Sequence, residues 1–333
     1  MNEKKKKVKA LGLCSGGLDS ILSGVVLANQ GVDVVWISFE TPFFSAEKAR
    51  RASDMTKIPL IVMDIFHRYL PMLKNPPAGY GRYMNPCMDC HALMFRIACE
   101  QMPKISADFL FSGEVMGQRP MSQTKSSLRY VEKHSGCEGR ILRPLSAKRL
   151  PESDMEKSGL VDRQRLFDFT GRSRKPQIRL ARELGIVDYP APAGGCMLTD
   201  PNYSKRVKDL LDHVEDPERE DFELLQYGRH IRLSTGVKLV AGRHLEDNNH
   251  ILSLYRPATD VRIVMKDKPG PVGLIPRCGP EEEIIRTGAA ICAGYGRGAD
   301  DESVQVIVTT PKTRETLSVI PIKPDQIATL MIM

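Results

Sequence analysis

The stretch Leu11–Ser20, with the sequence LGLCSGGLDS, constrains the fold more than any other part of the chain. An apolar run from Val8 to Leu13 precedes the glycines, and an apolar helical pattern follows them. This order predicts a buried strand, a tight turn and the start of a helix. Gly16 and Gly17 let the backbone approach a ligand closely, and the free N–H groups of a first helical turn favour an anion. The stretch therefore predicts a phosphate-binding loop.

The N-terminal half continues as an alternation of strands and helices. DVVWISFE, PLIVMDIF and ADFLFSGE have the apolar character of buried strands, and the polar segment AEKARRASDMTK between the first two has that of a helix. This alternation predicts an α/β fold with a doubly wound, mostly parallel sheet. Ligands of such folds bind at the carboxyl ends of the strands, which is where SGGLDS falls. From residue 222 onward, short strand-like runs predict a second, smaller α+β domain.

Composition limits the class of protein. The chain has 333 residues, enough for two domains, and 41% of them are hydrophobic. No apolar run is long enough to span a bilayer, and the lysine-rich start leads into a strand without a signal-peptide core. Eight cysteines in such a chain favour reduced thiols, metal ligation or catalysis over a disulfide framework. We therefore expect a cytoplasmic protein.

Positive charge is concentrated in two blocks. The net charge is +7; residues 119–149 hold eight Lys or Arg against two acids, and residues 163–182 hold seven against one. Such blocks favour a polyanionic partner whose phosphates lie along a surface. Within the first block, the candidate RNA-binding residues are Arg119, Lys125, Arg143 and Lys148.

Three cysteines form the central chemical pattern. Cys87-x-x-Cys90 opens a predicted helix, and Cys196 lies in a second glycine loop over residues 190–199. Three thiolates suit a [4Fe-4S] cluster with one open iron, or a zinc with an open position. Alternatively, one cysteine carries a persulfide and another resolves it by exchange, or all three pack as small buried residues. The remaining cysteines are expected to pack; they are Cys14, Cys99, Cys137, Cys278 and Cys292.

SGGLDS lacks the lysine of a Walker loop and resembles the PP-loop of ATP pyrophosphatases. The later motifs GEVMGQRPMSQT and ILRPLSAK resemble ThiI-type 4-thiouridine synthetases. NPC before the helix and GGCMLTDP in the second glycine loop are similar to MnmA-type 2-thiouridylases. The resemblance covers about residues 8–205 and implies an adenine nucleotide alpha-hydrolase-like fold. We recognise no THUMP domain before the PP-loop and no rhodanese-like tail after it.

The resemblance also implies roles for individual residues. Asp19 would lie beside the phosphates of ATP, help to hold Mg²⁺ and act in catalysis. Cys87, Cys90 and Cys196 match the pattern of the iron–sulfur-dependent members, in which a [4Fe-4S] cluster binds sulfide at its open iron, and they are the predicted catalytic cysteines. The full set of predicted ATP-binding residues is Ser15, Gly16, Gly17, Leu18, Asp19, Ser20, Gly113 and Gln118. The Pro/Gly-rich segment 68–84 is expected to be a loop over this site, with a lid around Pro76–Tyr83.

The C-terminal part resembles the RNA-binding NFACT-R domain through YGRHIRLS and the later KLVAGR. This resemblance implies phosphate or sugar contacts by Arg229, His230, Arg232 and Arg243. The predicted organisation is a PP-loop domain over residues 1–205, a linker over 206–221 and an NFACT-R-like domain over 222–333.

Together these resemblances predict an ATP-dependent tRNA sulfurtransferase that forms AMP and pyrophosphate. It would adenylate a uridine carbonyl oxygen and replace that oxygen with sulfur from sulfide or from the persulfide of a cysteine desulfurase. The sequence leaves open whether position 2 or position 4 of the ring is thiolated. One alternative is a PP-loop ligase or amidotransferase acting on a small molecule. The other is a non-catalytic RNA-binding adaptor.

Overall fold

The structure is a computed structural model that describes residues 7–191, 196–277, 279, 281–297, 299–300 and 302–332. Two compact units make up the chain, residues 1–197 and residues 198–333. Gly194 and Gly195 of the second glycine loop, and Cys278, lie outside the described residues. Among the described helices, none combines the length and the apolar character needed to cross a membrane.

A five-stranded parallel sheet forms the centre of the first unit, with the order β3-β2-β1-β4-β5. β1 lies in the middle, where Leu11 pairs with Val35 of β2 on one side and Leu110 of β4 on the other. The predicted doubly wound α/β fold is confirmed. The strands are β1 (Lys9–Leu13), β2 (Asp33–Glu40), β3 (Leu60–Asp64), β4 (Phe109–Ser112) and β5 (Ile141–Leu142).

Helices connect and cover these strands. The core contains Trp36 of β2 and Phe109 of β4, both fully buried, packed with apolar residues of the first helix such as Leu18 and Leu22. This packing explains why the first helix begins directly after the glycine loop. The helices are α1 (Leu18–Ala28), α2 (Glu47–Thr56), α3 (Phe66–Lys74), α4 (Cys87–Ile105), α5 (Lys125–Ser135), α6 (Asp154–Lys157) and α7 (Lys175–Glu183).

Two expectations for this unit are wrong. The loop predicted over residues 68–84 begins as helix α3, because Phe66, Tyr69 and Leu73 form a buried helical face around the tolerated Pro71. Cys99 and Cys137, expected to pack as free thiols, are joined by a disulfide. Their Cα atoms lie 6.4 Å apart, which is within the range that a disulfide spans.

The second unit contains a six-stranded sheet in the order β11-β10-β8-β9-β7-β6, with antiparallel pairing throughout. The predicted α+β architecture is confirmed. Its strands are β6 (Arg229–Ser234), β7 (Val237–Ala241), β8 (Val261–Met265), β9 (Gly273–Ile275), β10 (Val304–Thr309) and β11 (Arg314–Val319). Its helices are α8 (Pro201–His213), α9 (Arg219–Leu224), α10 (Leu245–Ser253) and α11 (Glu282–Gly294).

Helices cover both faces of this sheet. Alternate residues of β7 point to opposite faces, so that Leu239 packs with α11 while Val240 packs with Ile251 of α10. The segment 206–221, predicted as a linker, belongs to this unit and contains most of α8 and the start of α9.

Candidate functional site

The glycine loop leads from β1 into α1 as the sequence predicts. Gly16 has a φ of +69°, a conformation that favours glycine, and an added Cβ would lie 2.2 Å from the carbonyl carbon of Lys48. Gly17 is the N-cap of α1 in extended conformation and makes no side-chain cap bond. The first backbone N–H groups of α1 are therefore left for a ligand.

The side chains of the predicted loop residues have different environments. Ser15 is exposed, whereas Leu18 lies fully in the core and offers only its backbone to ATP. The Ser20 hydroxyl is nearly buried and donates a hydrogen bond of 2.8 Å back to the Gly17 carbonyl oxygen. Ser15 is thus the hydroxyl of this loop that the structure presents to a ligand.

Asp19 lies at the centre of a polar group built from distant parts of the chain. Gln118 Nε2 donates a hydrogen bond of 2.7 Å to Asp19 Oδ2, and Gln177 Nε2 donates one of 2.8 Å to Gln118 Oε1. Burial raises the pKa of Asp19, against the hydrogen bond from Gln118 and the charges of Arg174 and Arg119. Asp19 Oδ1 and Arg174 Nε are both buried without a hydrogen-bond partner among the described residues.

These two atoms without partners limit the kinds of ligand that would fit beside them. A buried carboxylate oxygen without a donor fits a hard cation such as Mg²⁺, and the buried, unpaired N–H of Arg174 fits an anion such as a phosphate. Gly113 brings the β4 end against this group, because an added Cβ would lie 2.5 Å from the Asp19 carbonyl carbon. The predicted ATP-binding residues Gly113 and Gln118 thus lie at the glycine loop.

The three predicted cysteines lie near Tyr69, and Cys90 hydrogen-bonds with its hydroxyl. Burial raises the pKa of Tyr69 well above its usual value, reinforced by the thiolate charges of Cys90, Cys196 and Cys87 and by a hydrogen bond with Cys90. Cys87 and Cys90 lie one turn apart at the start of α4. All three cysteines are half-buried, so the group is reachable from outside.

The thiols differ in their tendency to ionise. Burial raises the pKa of Cys90, and the neighbouring thiolates of Cys196 and Cys87 raise it further. Burial also raises the pKa of Cys87, but the charge of Arg119 opposes this effect. The Cys87 Sγ donates a hydrogen bond of 3.0 Å to Asn85 Oδ1. Cys87 is therefore the thiol that its surroundings favour more as a nucleophile.

The three cysteines have the donor atoms that a cluster needs, but they are not arranged to hold one. Three thiols are the donors that a [4Fe-4S] cluster uses. Among the described residues, however, no three His, Cys, Asp or Glu side chains are grouped so as to hold a metal ion. The residues as they lie do not form an assembled cluster site, and we derive no step through a cluster.

Arg119 connects the nucleotide group and the cysteine group electrostatically. Burial raises the pKa of both Asp19 and Cys87, and the charge of the exposed Arg119 guanidinium opposes this rise at each of them. A single cation thus lies close enough to influence both groups. Positive charge at this position suits a reaction in which phosphate and sulfur meet on one substrate.

A buried network of ion pairs connects the chain segments that carry the nucleotide group and the cysteine group. Glu114 Oε2 accepts a hydrogen bond of 3.0 Å from Arg143 Nε, and its Oε1 lies 2.9 Å from His91 Nδ1. Burial alone would raise the pKa of Glu114, but the charge of Arg143 and the contact with His91 outweigh it and lower the pKa to about 2. Because His91 follows Cys90 and Glu114 follows Gly113, this network fixes α4 relative to the end of β4.

Arg143 is therefore misplaced among the predicted RNA contacts. Only 3% of its side chain is exposed, and its guanidinium binds Glu114, Glu132 and the Leu128 carbonyl oxygen. Its role is to neutralise buried carboxylates. By contrast, the other candidates of this block are exposed; they are Arg119, Lys125 and Lys148.

The predicted RNA contacts of the second unit also differ in their exposure and in their partners. His230 is fully buried, its Nε2 bonds the Tyr227 carbonyl oxygen, and burial lowers its pKa well below the usual value, so it is not a surface contact. Arg232 pairs with Asp209 through two hydrogen bonds. Arg229 stacks over the Tyr295 ring at 4.3 Å, and Arg243 is exposed but pairs with Asp247.

Sequence reasoning missed Arg174, Gln177 and Tyr69. The first two lie around the start of α7, whose basic sequence gave no motif, and Tyr69 lies in a segment read as a loop. Arg174 precedes a helix with Pro at its start, which marks a helix entry and was the available signal.

Two family matches cover different parts of the chain. Residues 6–149 match the family described as thiamine biosynthesis protein (ThiI). The N-terminal part is thus similar to ThiI-type domains. Residues 228–331 match the NFACT protein RNA binding domain, so the second predicted resemblance is also confirmed.

Curated relatives match up to about three fifths of the chain. The tRNA-specific 2-thiouridylase MnmA of Herpetosiphon aurantiacus is 26% identical over 230 residues, 63% of this chain and 61% of the relative. A probable tRNA sulfurtransferase of Staphylococcus epidermidis is 29% identical over 141 residues, 41% of this chain and 34% of the relative. The chain thus spans about three fifths of the 2-thiouridylase and one third of the sulfurtransferase.

Proposed function

We propose that the chain with its ThiI-type domain is an ATP-dependent tRNA sulfurtransferase that converts a uridine to a thiouridine. The observation that carries this proposal is a phosphate loop with an orphaned Asp19 oxygen in the same unit as three cysteines around Tyr69, with Arg119 acting on both groups. Its relatives are named 2-thiouridylases and tRNA sulfurtransferases, which supports the same reaction.

In the first step the uridine carbonyl oxygen attacks the α-phosphate of ATP, and pyrophosphate leaves. The backbone N–H groups at the start of α1 and the guanidinium of Arg174 bind the phosphates, and Asp19 Oδ1 would hold Mg²⁺. The ion would supply charge neutralisation for the departing pyrophosphate. Gln118 and Gln177 keep the Asp19 carboxylate in its orientation through their two hydrogen bonds. The adenylated oxygen is then a good leaving group as AMP.

In the second step sulfur replaces that oxygen. The terminal sulfur of a cysteine persulfide attacks the ring carbon, and AMP leaves with the carbonyl oxygen. A second cysteine of the group then attacks the enzyme-bound sulfur, which releases the thiouridine and forms a disulfide that an external thiol reduces. Cys87, Cys90 and Cys196 form one group in which such exchange is possible. The cluster that the family resemblance implies is the alternative, which the iron assay tests.

The partners follow from the reaction. The substrate is tRNA, whose phosphates suit the exposed cations Arg119, Lys125 and Lys148 and, in the second unit, Arg229 and Arg243. The PP-loop domain over residues 1–205 carries out catalysis and binds part of the tRNA, and the NFACT-R-like domain over 222–333 binds another part. In the persulfide route the persulfide of a cysteine desulfurase transfers its outer sulfur to a thiol of this group, and the cysteine of the desulfurase leaves as a thiolate. Sulfide would serve as the donor only with a cluster. We place the activity in the cytoplasm.

The experiment purifies the full chain without oxygen and assays iron and sulfide. It then supplies ATP, Mg²⁺ and tRNA together with either sulfide or a cysteine desulfurase that carries a persulfide, in separate reactions that contain a reducing thiol. We expect pyrophosphate release that depends on tRNA, and thiouridine in the digested tRNA by mass spectrometry, which also identifies the ring position. Cys196→Ala is expected to abolish thiouridine while ATP binding remains. Cys292→Ala, which removes a buried free thiol in the second unit, is the matched control and should keep full activity.

The iron content and the activity of the cysteine variants distinguish the cluster route from the persulfide route. Iron that is lost in Cys87→Ala, Cys90→Ala and Cys196→Ala supports the cluster, whereas an iron-free, active protein supports the persulfide. Full activity of Cys196→Ala contradicts both routes. Pyrophosphate release driven by a small carboxylic acid instead of tRNA would replace this proposal with the ligase alternative.

A further inference from the structure

The two basic blocks of the sequence meet in one cavity of the first unit. Lys148 and Arg149 come from the first block and Arg165 comes from the second. Together with residues between Gln164 and Asp168 they line a cavity of about 550 Å³. Charges that are about 15 residues apart in the chain are thus gathered on one surface.

Backbone pairing holds the two walls of the cavity together. The Lys148 N–H donates to the Phe167 carbonyl oxygen at 3.0 Å, and the Phe167 N–H donates to the Pro144 carbonyl oxygen at 2.9 Å. The cationic side chains also donate hydrogen bonds to the backbone. Lys148 Nζ donates to the Gln164 carbonyl oxygen, and Arg149 Nε donates to the Asp168 carbonyl oxygen. The cationic side chains are therefore pre-positioned, which lowers the entropy lost on binding.

Most of this positive charge is not neutralised within the protein. Arg149 pairs with the Asp168 carboxylate at 3.1 Å, and both side chains are about half exposed. Lys148 and Arg165 are anchored to carbonyl oxygens, and neither forms an ion pair with a carboxylate of the described residues. Three cations thus face one carboxylate, and the surplus favours an anionic ligand.

Hydrogen bonds connect the cavity wall to the segments that carry the nucleotide loop. The wall segment continues to Gly171, whose N–H donates to the Met116 carbonyl oxygen at 2.9 Å, two residues before Gln118. Arg165 Nη2 donates to the Asn29 carbonyl oxygen just past the end of α1, which begins at the glycine loop. At 1.5 Å per residue, α1 places these two ends about 16 Å apart. A ligand that reaches both places must be extended.

We propose that this cavity binds the phosphate backbone of the substrate tRNA, away from the reacting uridine, through Lys148, Arg149 and Arg165. This inference rests on the proposed function, because it takes tRNA as the substrate. Lys148 is a predicted RNA contact, and the cavity adds Arg149, Arg165, the exposed Gln164 and the half-buried Phe167. The half-buried Phe167 ring in the wall also offers a surface on which a base can stack.

The test measures tRNA binding by the full chain as a function of salt. Lys148→Ala/Arg165→Ala removes two phosphate contacts and is expected to weaken tRNA binding by about tenfold or more and to lower the salt slope by about two. Gln164→Glu adds a negative charge on an exposed side chain without removing packing, and it should weaken binding in the same direction. ATP binding should remain at the wild-type value in both variants.

Arg50→Ala/Arg51→Ala is the matched control, because it removes two exposed cations of α2 that pair with acids outside the cavity. It should leave the salt slope unchanged. If the cavity variants behave like this control while the wild type binds tRNA, the cavity proposal is overturned and the proposed function stands. If they lose affinity for inorganic phosphate or ATP but not for tRNA, the cavity is a small-anion site and the proposal is also overturned. A wild type that binds no tRNA overturns both.

Discussion

Gln118 Nε2 donates a hydrogen bond of 2.7 Å to Asp19 Oδ2, although 99 residues separate the two in the chain. The bond leaves Oδ1, the other oxygen of the carboxylate, buried without a partner. Asp19 thus has one oxygen fixed by the protein and one available to a ligand. This division makes Gln118 a positioning residue for the nucleotide site.

Gln118→Ala should therefore impair adenylation without removing the phosphate loop. The loss of a hydrogen bond to a charged group costs about 1.5–3 kcal/mol, which corresponds to roughly a tenfold or larger loss in kcat/KM. Measurement of tRNA-dependent pyrophosphate release at several ATP concentrations checks this. Gln123→Ala, which changes a buried glutamine of the same loop, is the comparison for a general loss of loop structure. Equal effects of the two variants would argue against a specific role of Gln118.

Arg119 supplies a second test, because its charge acts on both halves of the proposed reaction. Its guanidinium lowers the pKa of Cys87, so Arg119→Ala should raise that pKa and reduce the thiolate fraction at neutral pH. We expect slower alkylation of Cys87 by iodoacetamide and slower ATP turnover, whereas Arg119→Lys should retain most of both. Unchanged alkylation of Cys87 in Arg119→Ala would show that the charge does not reach the thiol.

Much of the fold could be predicted because its signals are local. β2 coincides with DVVWISFE, and the glycine loop lies between β1 and α1 as its sequence indicates. An apolar run bounded by turn residues needs no knowledge of distant contacts to be recognised as a strand. The same holds for CxxC at a helix start, which fixes its two thiols one turn apart.

The site could be predicted only where a motif marked it. Arg174 and Gln177 reach Asp19 through the tertiary fold, and nothing in their own neighbourhood distinguishes them from other polar helix residues. Arg143 shows the converse case, since a basic segment suggested a surface contact while Glu114 and Glu132 bury and neutralise that arginine. Cys99 and Cys137 lie 38 residues apart, and their pairing depends on the packing of α4 with the region after α5. Sequence spacing carries none of this information.

The hydroxyl of Tyr69 gives a third prediction. It is buried and hydrogen-bonded with Cys90, with Cys87 and Cys196 close enough to raise its pKa. Tyr69→Phe keeps the ring packed against Phe43 and Phe44 and removes only the hydroxyl, so the fold should remain. We expect ATP-dependent pyrophosphate release to persist while thiouridine formation falls about tenfold or more. Equal loss of both activities would contradict a role confined to the sulfur step.

The buried carboxylate of Glu114 makes the stability of the first unit depend on pH. Its pKa lies at about 2 in the folded protein, against 4.5 as its ordinary value, because Arg143 and His91 outweigh the effect of burial. A lowered pKa stabilises the fold fully above pH 4.5, and this contribution, about 3 kcal/mol, is lost as the pH falls from about 4.5 towards 2. Urea unfolding between pH 7 and pH 3 should show this loss.

Glu114→Gln removes the charge and should unfold at lower urea concentration at pH 7, because Arg143 then stays buried with only Glu132 as a charged partner. The gap between Glu114→Gln and the wild type should narrow as the pH falls from about 4.5 towards 2, since the wild-type carboxylate loses its charge there. Glu100→Gln is the control, since that exposed carboxylate pairs with Arg68 at the surface and its pKa is lowered by the hydrogen bond with Arg68. Surface pairs contribute little to stability, so its unfolding curve should follow the wild type closely at every pH. A gap for Glu114→Gln that stays constant down to pH 3 would mean that its carboxylate does not carry the pH dependence.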